Sequence, residues 1–174
     1  KINGELSGSF QKENAQTVLT AIRVLKEQRV KLHPNSIAIG FAKVVEETGL
    51  MGRWQTIQND PKVICDTGHN IGAWENLGQL LNEAFEHHPR LHLVIGMASD
   101  KDVDGVLSMM PKQASYYFTQ ASVKRALPEE ELAQKALKYG LYGTTYPTVH
   151  EAVRAATEEA RKEDLIFIGG STFV

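Results

Sequence analysis

Lys62-Val63-Ile64-Cys65-Asp66-Thr67-Gly68-His69-Asn70 is the stretch on which the fold turns. Its first half is a short, mostly β-branched apolar run and reads as a strand. Its second half is a polar loop that opens a segment with apolar residues at Ile71, Trp74, Leu77, Leu81 and Phe85, the three- and four-residue spacing of one helix face. Strand, loop and helix in that order form the unit from which parallel sheets are built. Downstream the unit repeats: strand Leu91 to Ile95, helix Asp102 to Met110, strand Ser115 to Thr119, helix Pro128 to Tyr139, a short strand near Tyr142 to Tyr146, helix Val149 to Lys162, and strand Leu165 to Ile168. Such alternation predicts the α/β class, with an open, Rossmann-like, mainly parallel sheet flanked by helices.

Upstream the pattern differs. Trp54 to Gln58, the turn Asn59-Asp60-Pro61 and Lys62 to Asp66 read as a hairpin, because Asn and Asp suit turns and Pro cannot sit in a central ladder. Before it no strand is expected. Ala15, Val18, Leu19, Ile22 and Leu25 mark one buried helix face between Lys12 and Arg29. A second helix is expected from Ser36 to Thr48, led in by Pro34 and ended by Gly49, with Ile37, Phe41, Val44 and Val45 facing inward. The expected organisation is a helical segment over 1–48 and a sheet domain over 49–174.

Composition narrows the function classes. With 174 residues, 42 % hydrophobic and 23 % charged, the chain can bury a proper core. Its formal charge of −2 lacks the basic excess that a phosphate backbone requires, so no nucleic-acid partner is expected. No apolar stretch is long enough to span a bilayer, Lys1 to Gly8 carry no signal-peptide core, and the one cysteine, Cys65, reads as a buried thiol. A cytoplasmic protein with no membrane partner is expected. The chain opens on Lys1 and stops at Val174 just after an apolar run, which suggests a piece excised from something longer.

In parallel sheets of this kind, ligands bind beyond the carboxyl ends of the strands. The loops concerned are Asp66 to Asn70, Gly96 to Asp102, Thr119 to Arg125 and Gly169 to Thr172. Asp66 at a strand terminus can accept from ribose hydroxyls, or hold a water or metal, and His69 near a helix start can donate to an anion. Equally, Asn70 can cap the helix while Asp66 satisfies loop amides. Arg53, at the start of the first hairpin strand, is expected beside Asp66 at the end of the second, either as a surface ion pair or as a joint contact to one ligand. Gly169-Gly170-Ser171 offers a close backbone approach and a hydroxyl, but no Gly-x-Ser-x-Gly elbow. His87-His88-Pro89 reads as a solvated turn, and no metal site is expected. Neither a Gly-x-x-x-x-Gly-Lys-Ser/Thr phosphate loop nor a Gly-x-Gly-x-x-Gly fingerprint occurs, so a nucleotide would be held incompletely.

Taken in order, Gln11-Lys12-Glu13-Asn14-Ala15, Gly52-Arg53-Trp54-Gln55, Asp66-Thr67-Gly68-His69-Asn70, Gly96 with Asp100-Lys101-Asp102, Arg125-Ala126-Leu127-Pro128 and Gly169-Gly170-Ser171 resemble the carboxyl-terminal part of the folylpolyglutamate and dihydrofolate synthases of the Mur ligase superfamily. The resemblance implies ATP-dependent addition of L-glutamate to dihydropteroate or a folate through an acyl phosphate. It makes residues 1–48 the tail of an ATP-binding central domain and the remainder a lid. Asn14, Arg53 and Asp66 match nucleotide contacts, and His69 and Ser171 match positions associated with the incoming glutamate. ATP and magnesium would be held mainly by an N-terminal ATPase domain of the same chain, so this piece alone should not turn over. The family's loop more usually reads Asp-x-Ala-His-Asn-Pro, and Gly68 and Ile71 depart from it. The alternatives are the same domain of a cell-wall amino-acid ligase, or a non-catalytic α/β binding module.

Overall fold

A computed structural model describes residues 2–6 and 11–174. Lys1 and residues 7–10, which include part of the stretch expected to carry no signal peptide, lie outside the described residues. The chain divides into two units, Lys1–Trp54 and Gln55–Val174.

The second unit is a six-stranded sheet in the order β1-β2-β6-β3-β4-β5. Its strands are β1 (Gln55–Asn59), β2 (Lys62–Asp66), β3 (Leu91–Ile95), β4 (Ser115–Thr119), β5 (Gly143–Tyr146) and β6 (Leu165–Gly169). β1 runs antiparallel to β2, with Gln55 opposite Cys65. Every other pairing is parallel. β3 and β6 are buried at all five positions, as central parallel strands covered on both faces must be. The edge strand β1 is exposed along almost its whole length.

β6 lies between β2 and β3, so the chain climbs from β2 out to β5 and then returns to the middle. Right-handed crossovers place the three outward helices on one face and the returning helix on the other. The outward helices are α4 (Ile71–Ala84), α5 (Val103–Leu107) and α6 (Glu129–Leu137), and the returning one is α7 (Val149–Glu159). Under α7, Val63, Val94, Tyr117, Ile166 and Ile168 meet Ala152 and Ala156, two small residues that let the helix approach the sheet. On the alternate positions, Trp74 of α4 stands edge-on to Phe167 at 6.0 Å between centroids. Gly78 is the close contact of α4, where an added Cβ would come 2.7 Å from the Met109 carbonyl.

Helix starts follow their side chains. Asn70 accepts from the Ala73 amide at 2.9 Å, Asp102 from Gly105 at 2.9 Å and Thr148 from Glu151 at 3.2 Å, each satisfying an amide that the first turn leaves without a helical partner.

The first unit contains α1 (Gln11–Glu27), α2 (Pro34–Ala42) and α3 (Val44–Thr48). Two expectations fail here. The helix expected over Ser36 to Thr48 is broken at Lys43, whose φ and ψ are −132° and 34°. In an unbroken helix the Val45 amide would bond the Phe41 carbonyl; instead the Glu5 amide donates to Phe41 at 2.9 Å and the Glu5 carboxylate accepts from Val45 at 2.8 Å. Glu5 is thus inserted into the ladder, a recognised cause of helix breaks. The apolar face expected to be buried on α1 is not: the helix has no buried residue, and Val18 is 47 % exposed. Among the described residues of this unit, α2 and α3 leave that stripe uncovered. Ile37, Phe41, Val44 and Val45 are half-buried rather than interior.

Cys65 also departs from expectation. It is half-buried, with its sulfur 3.8 Å from the Gln55 amide oxygen, because the strand beyond it is the exposed edge.

Candidate functional site

Parallel pairing brings the ends of β2, β6, β3 and β4 to one edge of the second unit. Asp66 lies opposite Gly169, and Ile95 opposite the same Gly169. Backbones converge closely there. A Cβ on Gly169 would lie 2.8 Å from the Asp66 carbonyl, and one on Gly96 would lie 2.8 Å from the Thr119 carbonyl. Gly170 adopts φ 93°, where L side chains are strained, and its added Cβ would meet the Gly96 carbonyl at 2.6 Å. Glycine is therefore required at this turn on two grounds.

Asp66 is buried, and its Oδ1 accepts from the Gly68 amide at 2.8 Å. The Trp74 indole donates to the Gly68 carbonyl at 3.2 Å, pinning the loop to α4. At Gly68 a Cβ would come 2.5 Å from Leu77 Cδ1 and 3.1 Å from Asp66 Oδ1. Gly68 thus fills a place with no room for a methyl group unless Leu77 moves. Half-buried His69 sets Nδ1 3.0 Å from the Thr67 carbonyl. A carbonyl only accepts, so Nδ1 carries the hydrogen and Nε2 is the ring atom left to address a ligand.

Ser171 is 5 % exposed and its hydroxyl accepts from the Phe173 amide at 3.2 Å. The neighbouring loops are knitted together. Ala98 bridges Ala126, Leu127 donates to Met97 at 2.8 Å, and the Arg125 guanidinium lies 4.8 Å from the Phe173 ring centroid. Asp66, His69 and Ser171 thus stand on loops of one sheet edge.

Asn14 and Arg53 belong to the first unit. Both line a concavity of about 510 Å³ whose other walls include Gln11, Val18, Ile37 and Phe41. Asn14 donates to the Gln11 side chain at 3.1 Å. Arg53 donates to the Gly52 carbonyl at 3.0 Å and precedes Trp54, which takes a left-handed φ of 47°. The structure brings Asn14 and Arg53 to one concavity, and Asp66, His69 and Ser171 to one sheet edge. The hairpin register that motivated the expected Arg53–Asp66 neighbourhood is present in the second unit, while Arg53 lies in the first.

Sequence reasoning missed a polar cluster at the opposite edge of the sheet. His92 is 2 % exposed; its Nδ1 lies 2.8 Å from the Tyr117 hydroxyl, which donates to Glu159 at 2.8 Å. Its Nε2 lies 3.4 Å from Asp164, a fully buried carboxylate that also accepts the Arg161 amide at 2.8 Å. The only signal in the sequence was a histidine inside an apolar strand. Among the described residues no three His, Cys, Asp or Glu side chains group as a metal site, and no helix is long and apolar enough to cross a membrane.

The family model for "Mur ligase, glutamate ligase domain" matches residues 52–172. The dihydrofolate synthase/folylpolyglutamate synthase of Escherichia coli strain K12 is 30 % identical over 158 residues, covering 91 % of this chain and 35 % of the relative. The folylpolyglutamate synthase of Mycobacterium tuberculosis, solved with ADP, superposes with a TM-score of 0.79 at 28 % identity, covering 98 % of this chain and 39 % of that one. A bifunctional folylpolyglutamate synthase/dihydrofolate synthase solved with Mn, AMPPNP and L-glutamate gives 0.69 at 26 % identity, covering 87 % and 35 %. The chain therefore spans about a third of the length of the relatives it matches. On the family match across most of its length, the chain belongs to the Mur ligases, through their glutamate ligase domain.

Proposed function

We propose that the chain is the glutamate-side lid of an ATP-dependent ligase that adds L-glutamate to dihydropteroate or a folate in the cytoplasm. In that reaction a pteroate or folyl carboxylate attacks the γ-phosphorus of ATP, ADP leaves, and an acyl phosphate results. The glutamate amine then attacks the acyl carbon and inorganic phosphate departs. Acyl phosphates hydrolyse readily, so a closing domain contributes by excluding water and by aligning the amine with the carbonyl carbon. Alignment of this sort can supply up to roughly 7–11 kcal/mol.

One observation carries the reading: an acid, an imidazole and a hydroxyl stand on adjoining loops at the carboxyl edge of the sheet, where such folds bind ligands. His69, with Nδ1 committed to the Thr67 carbonyl, turns Nε2 toward the incoming amine. Ser171, fixed beside two glycines, hydrogen-bonds the same amino acid. Asp66 is assigned a nucleotide contact, and so, on the other unit, are Asn14 and Arg53. Two relatives were solved with nucleotides and one of these with L-glutamate, which supports the assignment.

Magnesium and the ATP phosphates fit this chain poorly, since its described residues offer no metal cluster and its sequence no phosphate loop. We assign both to an ATPase domain of the parent protein. The test is direct. Incubated with ATP, a folate or dihydropteroate and glutamate, the 174-residue chain should release no ADP, and calorimetry should find ATP binding weaker than about 1 mM, less favourable than about −4 kcal/mol. ADP release by the chain alone, or micromolar ATP affinity, contradicts the lid assignment. Supplying a phosphate-loop domain should restore turnover with folates; turnover with nucleotide-linked muramyl substrates instead would point to a cell-wall ligase.

A further inference from the structure

Asp164, His92, Tyr117 and Glu159 make an unbroken line of polar contacts from the interior to the surface, at the edge of the sheet opposite the candidate site. Their hydrogens can be counted. Glu159 is exposed at the end of α7, and its carboxylate lies 2.8 Å from the Tyr117 hydroxyl. A carboxylate only accepts, so the one hydroxyl hydrogen is used there. The 2.8 Å contact between that hydroxyl and His92 Nδ1 must then take its hydrogen from the ring. On the far side of the ring, Nε2 lies 3.4 Å from Asp164 Oδ2. Either Nε2 donates to the carboxylate as the second N–H of an imidazolium, or it accepts from a protonated Asp164. In both cases the buried pair holds one proton more than a neutral imidazole beside an ionised carboxylate. The surroundings of Asp164 favour that extra proton. Its Oδ2 has the Arg161 amide at 2.8 Å, its Oδ1 has no hydrogen-bond partner among the described residues, and a buried charge so thinly compensated is costly.

Removing the proton forces a rearrangement. With Nε2–H donating to Asp164, Nδ1 becomes an acceptor, and the Tyr117 hydroxyl must turn its hydrogen from Glu159 to the ring. Glu159 then faces oxygen lone pairs, and the last turn of α7 loses its tie to β4. The other titratable side chains on the elements packed there are engaged elsewhere. Tyr146 of β5 stacks on Tyr117 with 5.9 Å between centroids, and His88 Nδ1 lies 2.9 Å from the Glu163 carbonyl. Arg154 and Glu158 of α7 approach each other at 3.9 Å, and Lys162 approaches Asp60 at 3.5 Å.

We propose that this cluster is a proton-linked latch: the proton shared by His92 and Asp164 fastens the carboxyl end of α7 to β4 through the Tyr117–Glu159 bond, and its loss releases that end. The latched form binds one proton more than the released form, so rising pH favours release.

Nuclear magnetic resonance of the isotope-labelled chain, titrated across the pH range in which it stays folded, tests the latch. At the acid end Nδ1 of His92 should carry hydrogen. The His92 ring nitrogens, the Glu159 carboxyl carbon and the amides of Thr157 to Ala160 should then move with one common midpoint. Above it Nδ1 should lose its hydrogen, and the hydrogen-exchange protection of those amides should fall about tenfold, as for one lost hydrogen bond to a charged group. Tyr117→Phe keeps the ring and removes the hydroxyl; His92 should still titrate, while Glu159 and the end of α7 no longer follow it. If Y117F does not fold, the titration of the unaltered chain decides. A His92 ring with hydrogen on Nε2 alone at every pH overturns the hydrogen count and the proposal with it. A ring whose hydrogens never change, or change while Glu159 and α7 stay still, leaves only a buried pair and overturns the latch. Y117F in which the three sets of signals still move together overturns the route through Tyr117.

Discussion

The Asp66 carboxylate accepts the Gly68 amide at 2.8 Å, so the acid assigned to the nucleotide also shapes the loop that carries His69. The two duties separate by substitution. Asp66→Asn keeps an oxygen for the Gly68 amide and removes the charge; Asp66→Ala removes both and strands a buried donor. Urea unfolding should show D66A destabilised by about 1–3 kcal/mol and D66N by less than about 1 kcal/mol. Equal losses in the two variants would mean that charge, not the loop bond, holds Asp66 in place.

Gly68→Ala should destabilise this chain. The added methyl would come 2.5 Å from Leu77 Cδ1, and Leu77 is 1 % exposed, so the surrounding core must shift at a cost of about 1–3 kcal/mol. Leu77→Val removes the clashing atom, and the double variant G68A/L77V should lose less than the sum of the two single losses. Simple additivity in thermal or urea unfolding would place the strain elsewhere.

Much of this was legible in the sequence for identifiable reasons. The parallel sheet was readable because β3 and β6 are continuous apolar runs, and the start of α4 because Asn70 is a strong capping residue. The break at Lys43 was not, because its cause is Glu5, some forty residues distant in sequence. The exposed face of α1 was not legible either: periodicity says which side of a helix is apolar, not whether anything covers it. In the site, residue types and loop positions could be read, whereas the commitment of His69 Nδ1 to Thr67 and the seating of Arg125 on Phe173 depend on three-dimensional placement.

His92 and Asp164 should behave as a coupled pair. Both are almost wholly buried, and removing one leaves the other without its partner in a medium that stabilises polar groups poorly. His92→Leu and Asp164→Leu should each cost about 3 kcal/mol. The double variant should lose at least about 1 kcal/mol less than the sum of the single losses. Absence of coupling in that cycle would mean that the 3.4 Å approach contributes nothing and that Asp164 acts only through the Arg161 amide.

Alkaline pH should unfold the chain through its buried tyrosines. Burial pushes the Tyr116 hydroxyl far above the ordinary tyrosine value, and burial together with the Glu159 carboxylate does the same for Tyr117. Each group keeps its proton in the fold at a pH where the unfolded chain has lost it. The folded state then binds more protons, and stability falls as pH rises. The contribution is fully present below about pH 10, the unfolded value, and declines above it toward the higher folded values. Ultraviolet absorbance should therefore show a tyrosinate fraction that appears only with loss of the far-ultraviolet circular dichroism signal, and Tyr117→Phe should remove part of it. Ionisation of both residues at ordinary tyrosine pH with the fold intact would show that neither hydroxyl is sealed from solvent.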